Sequence, residues 1–171
     1  MKHFLILVFL LFLTYNYSNA YNNTQDPVEL LTASDIKQLM TTPADWNKNF
    51  ILKRNIDMTG VTGQAPIGNS AANFTGSFNG NGHRISNVSI SLSGTDDVGF
   101  FGWISNAEIT NLGLVNVNIE GYEDIGGFCG TLVDSRIISC FATGTVYANS
   151  DYIGGFCGYN STGNLASSSA S

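Results

Sequence analysis

The hexapeptide IGGFCG occupies residues 125–130 and recurs unchanged at residues 153–158, so each position of the second copy lies 28 further along the chain. A shorter relative, VGFFG at residues 98–102, precedes them by the same interval when its last three residues are aligned, and it lacks one glycine. Three copies at one period predict a repeat architecture, in which each copy is a structural unit that stacks on its neighbour.

Apolar and polar residues alternate between these copies, as in VSISL at residues 88–92 and VNVNI at residues 115–119. A period of two is typical of β-strands with one apolar face. The strands are short and are followed by Gly, Asn or Asp, which tolerate the backbone of tight turns. No helical pattern separates the copies, so βαβ units are not expected.

A repeat of this length, made of short strands without a helix, predicts a coil in which each repeat makes one circuit. We therefore expect an all-β, right-handed parallel β-helix, or β-solenoid, of about four rungs. A β-propeller is less suitable, because its blades need about 40 residues each. Equivalent residues of successive rungs would lie about 4.8 Å apart. This spacing predicts two neighbouring ladders of side chains: Phe100, Phe128 and Phe156 in one, and Phe101, Cys129 and Cys157 in the other.

The segment before the repeats contains apolar residues at helical spacing within residues 34–40. Ser34 is the expected N-cap, and Pro43 stops continuation of the helix. We interpret this short helix as a cap on the open end of the solenoid, since an uncovered end exposes strand edges to aggregation.

Residues 1–20 have the pattern of a secretory signal peptide, with Lys2 and His3 before the apolar run at residues 4–13. Small residues precede the expected cleavage site after Ala20. Ten apolar residues are too few to span a bilayer, which needs about 20, and no other stretch is long enough. The sequence therefore predicts a secreted or cell-surface protein without a membrane span.

The composition suits one folded domain, or part of a larger one, with 171 residues, 43% hydrophobic and 12% charged. Beyond Ala20 the chain has six basic and thirteen acidic side chains, because Lys2 is lost with the signal peptide. An acidic surface repels phosphate backbones, so nucleic acid is not an expected partner.

Further segments resemble the GLUG-motif repeat proteins, and the likeness covers roughly residues 33–171. The resemblance implies a secreted or cell-surface β-helix protein, often much longer than this chain. These repeats also occur in bacterial IgA-cleaving metallopeptidases, but this chain has only His3 and His83 and no HExxH, so zinc ligation of that kind is not expected. The resemblance is carried by the GGFCG signatures and by FIL at 50–52, NIDM at 55–58, PIGN at 66–69, FTGSFNGNGHRISN at 74–87, NLGL at 111–114 and CFATG at 140–144.

The Ser-rich end of the chain continues the repeat, because a shift of 28 places residues 165–171 on residues 137–143. We therefore expect an unfinished rung there, and a sequence that is a piece of a longer protein. The predicted organisation is a signal peptide at residues 1–20, an N-terminal segment with the capping helix at residues 21–49, and GLUG-type repeats at residues 50–171.

Acidic residues precede the glycine signatures and are the nearest approach to a functional cluster. The spacing of 28 aligns Asp96 with Asp124 and Glu123 with Asp151, and Asp97 lies beside them. Stacked carboxylates suit a weak Ca²⁺ site or a glycosidase pair, but we favour solvated acids in an exposed turn. The predicted site residues are accordingly none for catalysis, cofactor or metal, and no cofactor is expected.

His83 lies directly before a predicted strand and has no apparent partner for general-base chemistry. We interpret its stretch, NGHR at residues 81–84, as a turn feeding that strand.

The three cysteines, Cys129, Cys140 and Cys157, have two interpretations in a secreted protein. A disulfide between Cys129 and Cys157 fits the expected spacing of adjacent rungs. We favour the other interpretation, in which they are small buried hydrophobic residues of a ladder.

Two further sets of residues leave alternatives open. The aromatic residues near predicted corners form either corner packing, which is favoured, or a sugar-stacking strip. The four sequons are either N-glycan acceptors or chance in an Asn-rich chain. The aromatic set is Trp103, Tyr122, Tyr147, Tyr152 and Tyr159, and the sequons begin at Asn22, Asn73, Asn87 and Asn160.

The leading functional hypothesis is a non-catalytic solenoid that acts as a stalk, adhesion or binding module for extracellular glycans or surface proteins. The second is a polysaccharide-active β-helix enzyme, against which stands the scarcity of basic residues, four of the six lying before residue 55. The third is the repeat region of a longer surface enzyme whose catalytic domain lies elsewhere.

Overall fold

The computed structural model describes residues 22–171, so the predicted signal peptide lies outside the described residues. Within them the chain has one α-helix, one 3₁₀ turn at Pro43–Asp45, and short strands. No helix of this part has the length and apolar character needed to cross a membrane. The elements are β1 Val28–Leu30, α1 Ala33–Met40, β2 Asn49–Leu52, β3 Ile56–Asp57, β4 Ser77–Asn79, β5 Arg84–Ser86, β6 Ser89–Ser91, β7 Phe101–Ser105, β8 Glu108–Thr110, β9 Gly113–Gly121, β10 Ile125–Gly126, β11 Cys129–Val133, β12 Arg136–Ile138, β13 Phe141–Ala148, β14 Ile153–Gly154, β15 Cys157–Asn160, β16 Asn164–Ala166 and β17 Ser169–Ala170.

The strands form stacked parallel sheets, each of which the chain visits once per circuit. The first sheet has the order β1-β2-β4-β8-β12-β16, and the second has the order β3-β5-β9-β13-β17 with β6 also on β9. Two smaller sheets follow, β7-β11-β15 and β10-β14. The fold is therefore a parallel β-helix of about four turns, which confirms the predicted fold class.

The register of the first sheet shows the period directly. Phe50 pairs with Phe78, and Ile109 pairs with Ile137, each at the predicted shift of 28. The intervening circuit is longer, because Phe78 pairs with Ile109. Ile137 pairs with Leu165, so the Ser-rich end does continue the repeat as predicted.

Phenylalanine rings fill the interior of the coil. Phe128 stacks on Phe156 with ring centroids 4.6 Å apart and planes 11° apart. The predicted stack does not extend to Phe100, because the Phe100 ring meets Phe101 edge-on with centroids 5.0 Å apart and Phe101 contacts Phe128 instead. The second predicted ladder is also present, since Cys129 pairs in register with Phe101 on one side and Cys157 on the other. Burial of this continuous apolar column is the main source of stability.

The corners of the rungs depend on left-handed backbone. Among the described residues, eleven non-glycine positions have positive φ, and all but Tyr152 are Asn, Asp or Ser. Short polar side chains tolerate this conformation because they bond the local backbone, whereas Cβ sterics penalise most other residues. The Asn-rich composition is thus a consequence of stacking corners.

The predicted helix is present, but its N-cap is Thr32 and not Ser34, so that prediction was wrong by two positions. Thr32 Oγ1 accepts a hydrogen bond from the Asp35 amide at 3.2 Å, and Asp35 Oδ2 accepts one from the Thr32 amide at 2.8 Å. This capping box needs an acceptor three positions after the cap, and Ser34 is followed at that distance by Lys37. Ile36 and Leu39 on the helix belong to the same buried core as the strands.

Candidate functional site

The acids singled out by the sequence lie at one corner of the solenoid. We call this set the acidic corner, and it comprises Asp96, Asp97, Glu123, Asp124 and Asp151. Parallel pairing of Val98, Ile125 and Ile153 stacks the successive copies of this corner. The acids are therefore close together in the structure, although the pairing between successive copies differs from the prediction at one step.

The predicted alignment of Asp96 with Asp124 was wrong by one position. Val98 pairs with Ile125, so Asp97 stacks on Asp124 and Asp96 on Glu123. The upstream signature at residues 98–102 has one glycine fewer between its first residue and Phe100, so residues before that point pair at a shift of 27 and not 28. The alignment of Glu123 with Asp151 stands, since Ile125 pairs with Ile153.

Thr131 holds the Asp97 carboxylate. Its hydroxyl donates a hydrogen bond to Asp97 Oδ1 at 2.6 Å, and the residue is only 1% exposed. Burial raises the pKa of Asp97, the Thr131 hydrogen bond lowers it, and the neighbouring Asp96 raises it. Sequence reasoning missed Thr131. Its place in a column with Trp103 and Tyr159 was the available signal.

Asp124 is the most perturbed carboxylate of the acidic corner. Its Oδ1 atom is buried without a hydrogen-bond partner among the described residues. Desolvation is the largest cause that raises its pKa to about 6, followed by the negative charges of Asp97, Glu123 and Asp96 in that order. The folded protein therefore disfavours the ionised form of the Asp124 carboxyl.

This penalty on the ionised form predicts a pH-dependent stability. The folded pKa lies above the unfolded value, so the folded state binds more protons between about pH 4 and 6. The free energy of unfolding of the wild type should consequently fall as pH rises through that window. Asp124→Asn removes the titrating carboxyl. Between pH 4 and 7 we therefore expect the free energy of unfolding to fall by roughly 1 kcal/mol more in the wild type than in the variant, after allowance for solvent screening of this partly exposed group. Urea denaturation at several pH values measures it.

The matched control is Asp151→Asn, because Asp151 is an exposed acid of the same corner one rung away. This variant removes one negative charge from the same corner and leaves the buried carboxylate oxygen of Asp124 in place, so an effect of net charge alone would appear in both variants. An Asp124→Asn profile parallel to the wild type would contradict the assignment of a destabilising charge to Asp124.

The acidic corner is open and does not form a cage. Across residues 22–171, no group of three or more His, Cys, Asp or Glu side chains is placed to hold a metal ion. The stacked acids form a column along the coil, whereas Ca²⁺ needs six to eight oxygen ligands around one point.

His83 takes part in a turn. Its amide donates a hydrogen bond to Gly80 O at 2.8 Å, and its carbonyl accepts one from Gly113 N at 3.2 Å. The cleft beside it is lined also by Arg84 and Phe141, and by no carboxylate within the described chain. General-base chemistry therefore has no orienting acid at this position.

All three cysteines are free thiols in the structure. Cys157 Sγ lies 3.2 Å from Tyr159 O, and Cys140 Sγ lies 3.3 Å from Ile138 O. Burial raises the pKa of Cys140 to about 11 and that of Cys129 well above its usual range. Such thiols are poor nucleophiles at neutral pH. Cys129 is a fully buried residue of the predicted ladder, whereas Cys157 in the same ladder is only partly buried and Cys140 lies outside it.

The aromatic candidates do not form one strip. Tyr152 and Tyr159 are 58% and 43% exposed, and their rings form an edge-to-face pair with centroids 6.0 Å apart. Trp103 shares a column with Tyr159 but Thr131 lies between them. Tyr147 lies on β13 opposite Glu120, and Tyr122 is exposed near the corner. The structure thus brings one tyrosine pair together.

The sequon asparagines are mostly engaged within the protein. Asn87 Nδ2 donates to Asp57 Oδ1 at 2.8 Å, and Asn87 Oδ1 accepts from Asn116 Nδ2 at 2.7 Å, which links three rungs. Asn73 and Asn160 also donate their side-chain amides to backbone carbonyls. Asn87 therefore serves as part of an inter-rung ladder, and the use of the sequons stays a prediction.

Comparisons with known proteins agree with this architecture. The GLUG motif matches residues 121–147. Halomucin of Haloquadratum walsbyi is 37% identical over 148 residues, covering 80% of this chain and 2% of that protein. A provisionally named Gly-rich membrane protein of Evansella cellulosilytica is 37% identical over 81 residues, covering 43% of this chain and 9% of that protein. This chain thus spans a small part of the length of both relatives.

A solved structure shares the fold. It is a Bacteroides ovatus protein described as a candidate immunoglobulin A1 protease, with a TM-score of 0.54 and 16% identity. The match covers 84% of this chain and 67% of that one. At this identity the likeness supports the parallel coil and carries no information about chemistry.

Proposed function

We propose that this chain, which carries a GLUG motif at residues 121–147 and has a parallel β-helix fold, is a secreted or surface-displayed, non-catalytic module. It serves as a structural stalk and as a binding surface for extracellular glycans or proteins. The signal peptide predicted at residues 1–20 directs it out of the cytoplasm. The relative from Evansella cellulosilytica is by name a membrane protein, which supports this location.

The single observation that carries the binding role is the exposure of tyrosine rings on the outer surface. Four tyrosine side chains are between 43% and 60% exposed, whereas phenylalanine side chains fill the buried core of the coil. Large aromatic rings contribute much binding energy at low entropic cost, and they dominate the centres of many interfaces. The set is Tyr122, Tyr147, Tyr152 and Tyr159.

The stalk role rests on the continuity of the hydrogen-bonded stack. Each circuit pairs in parallel with the next, from β1 to β16 in the first sheet. A stack of this kind is stabilised by nearest-neighbour contacts and extends by adding rungs. It therefore displays any surface residue at a regular interval along one axis.

One observation favours a second function, that of a polysaccharide-cleaving enzyme. Asp97 and Asp124 are stacked carboxylates, and the Asp124 pKa of about 6 is typical of a general acid. Against this function, the Thr131 hydroxyl already occupies Asp97. Only Arg136 among basic residues follows residue 84, so a groove with converging acid and base groups is missing from this part of the chain.

A turnover assay separates the two functions. The full chain is incubated with a panel of neutral and acidic polysaccharides, and new reducing ends are counted beside an Asp124→Asn variant. We expect no release above background for either protein. Release by the wild type that is lost in Asp124→Asn would overturn the non-catalytic proposal and assign the acidic corner as an active site.

The third hypothesis, a repeat region within a longer surface enzyme, is compatible with the small share of each relative that this chain covers. In that arrangement the solenoid still acts as the structural and binding part, and the chemistry belongs to another domain.

A further inference from the structure

We infer that Tyr152 and Tyr159 form a subsite for one pyranose ring of a neutral polysaccharide. This inference rests on the proposed binding function and assigns to it a location and a class of ligand. It is carried by the backbone of Tyr152, the geometry of the tyrosine pair and the charge around it.

Tyr152 has a backbone conformation that its residue type disfavours. Its φ of 56° matches those of Asp97 and Asp124, at 57° and 56°, which occupy the equivalent corner positions. Aspartate tolerates this left-handed conformation, but a bulky side chain is strained in it. The ring is 58% exposed, so little packing compensates for the strain. Backbone strain that is not offset by packing contacts is typical of functional positions.

The pair offers two surfaces at a steep angle. The rings of Tyr152 and Tyr159 have centroids 6.0 Å apart and planes inclined by 72°. One ring face can stack on the apolar face of a sugar while the other bounds its edge. Neither hydroxyl has a hydrogen-bond partner among the described residues, so both are available to sugar hydroxyls.

The surrounding charge selects among glycans. Asp151 precedes Tyr152 directly, and Glu123 and Asp124 lie one rung away, about 4.8 Å along the stack. These carboxylates accept hydrogen bonds from sugar hydroxyls but repel sulfate, phosphate and uronate groups. Arg136 is the single Lys or Arg after residue 84. The corner therefore suits neutral sugars and disfavours anionic ones.

The test measures binding of the full chain to neutral polysaccharides, with a β-glucan, a xylan and a mannan as probes, by affinity electrophoresis and calorimetry. Polygalacturonate is the anionic comparison. We expect retention by at least one neutral polymer and about tenfold weaker binding for Tyr152→Asn and for Tyr159→Ala. Phe141→Ala is the matched control, since Phe141 is an aromatic residue that is 39% exposed and lies outside the tyrosine set, and the affinity of this variant should change less than about twofold.

A second readout separates lost contact from lost folding. Tyr152→Asn restores the residue class of the equivalent corners, so its denaturation midpoint should rise while its affinity falls. Unchanged affinity in both pair variants, or stronger binding to polygalacturonate or to protein matrices, would overturn the subsite while the binding function stands. Absence of binding to every neutral polymer would also overturn the subsite. Failure of the non-catalytic proposal is a separate result, because it is measured by the release of reducing ends.

Discussion

Gly130→Ala is expected to destabilise the solenoid by about 3 kcal/mol, a loss at the upper end for overpacking. A Cβ at this position would lie 2.4 Å from the backbone carbon of Asp97 and 2.7 Å from Val98 N. Backbone atoms cannot turn aside as a flexible side chain does. The pairing of Val98 with Ile125 also anchors this corner to the next rung, so relief requires neighbouring rungs to separate. Chemical denaturation measures the loss.

Two other glycines test whether the clash is the cause. Gly158 meets Asp124 in the same way at 2.4 Å, whereas Gly94 has no atom within 4 Å of an added Cβ and no positive φ. Gly158→Ala should therefore destabilise the protein, and Gly94→Ala should be neutral or stabilising by up to about 1 kcal/mol. Equal effects at Gly130 and Gly94 would refute the close approach of the corner.

Phe128→Ala is expected to cost about 4 kcal/mol in the free energy of unfolding. The side chain is fully buried. Its ring centroid lies 4.6 Å from that of Phe156, on which it stacks, and 5.7 Å from that of Phe101. Its removal leaves a cavity between two rungs that the stiff backbone pairing prevents from collapsing. The denaturation midpoint, with an unchanged slope, measures this loss.

Phe156→Ala is the matched comparison, because Phe156 occupies the same ladder one rung later and is only partly buried. We expect it to cost about half as much or less. A loss below about 1 kcal/mol for Phe128→Ala would show that the phenylalanine ladder does not carry the core.

The period of the chain predicted most of the architecture. A shift of 28 correctly paired Cys129 with Cys157 and continued the coil to Leu165, because parallel stacking requires equivalent residues to lie one above another. The terminal Ser-rich stretch shows the value of this rule, since its composition by itself suggests a linker.

The errors arose where local geometry overrides the period. The glycine missing before Phe100 shortens the repeat by one residue at the acidic corner. The pairing of Val98 with Ile125 shows that this shortening lies on the C-terminal side of Val98, which the sequence alone does not show. The N-cap moved to Thr32 because Asp35 completes a capping box. Neither choice between nearby residues is visible in apolar periodicity.

The candidate site was predicted only in part. The sequence identified both the acids and the tyrosines, but not the hydrogen bond from Thr131 to Asp97 or the strained backbone of Tyr152. Hydrogen bonds between rungs depend on side-chain direction, and a left-handed tyrosine is the opposite of what residue preference predicts. Such departures from local rules are where function is expected.

Binding without cleavage is tested by one calorimetric titration of the full chain with a neutral polysaccharide, followed by sizing of the recovered polymer. We expect saturable heat and a polymer of unchanged length. A titration without saturable heat, or a shortened polymer, would contradict the proposed function.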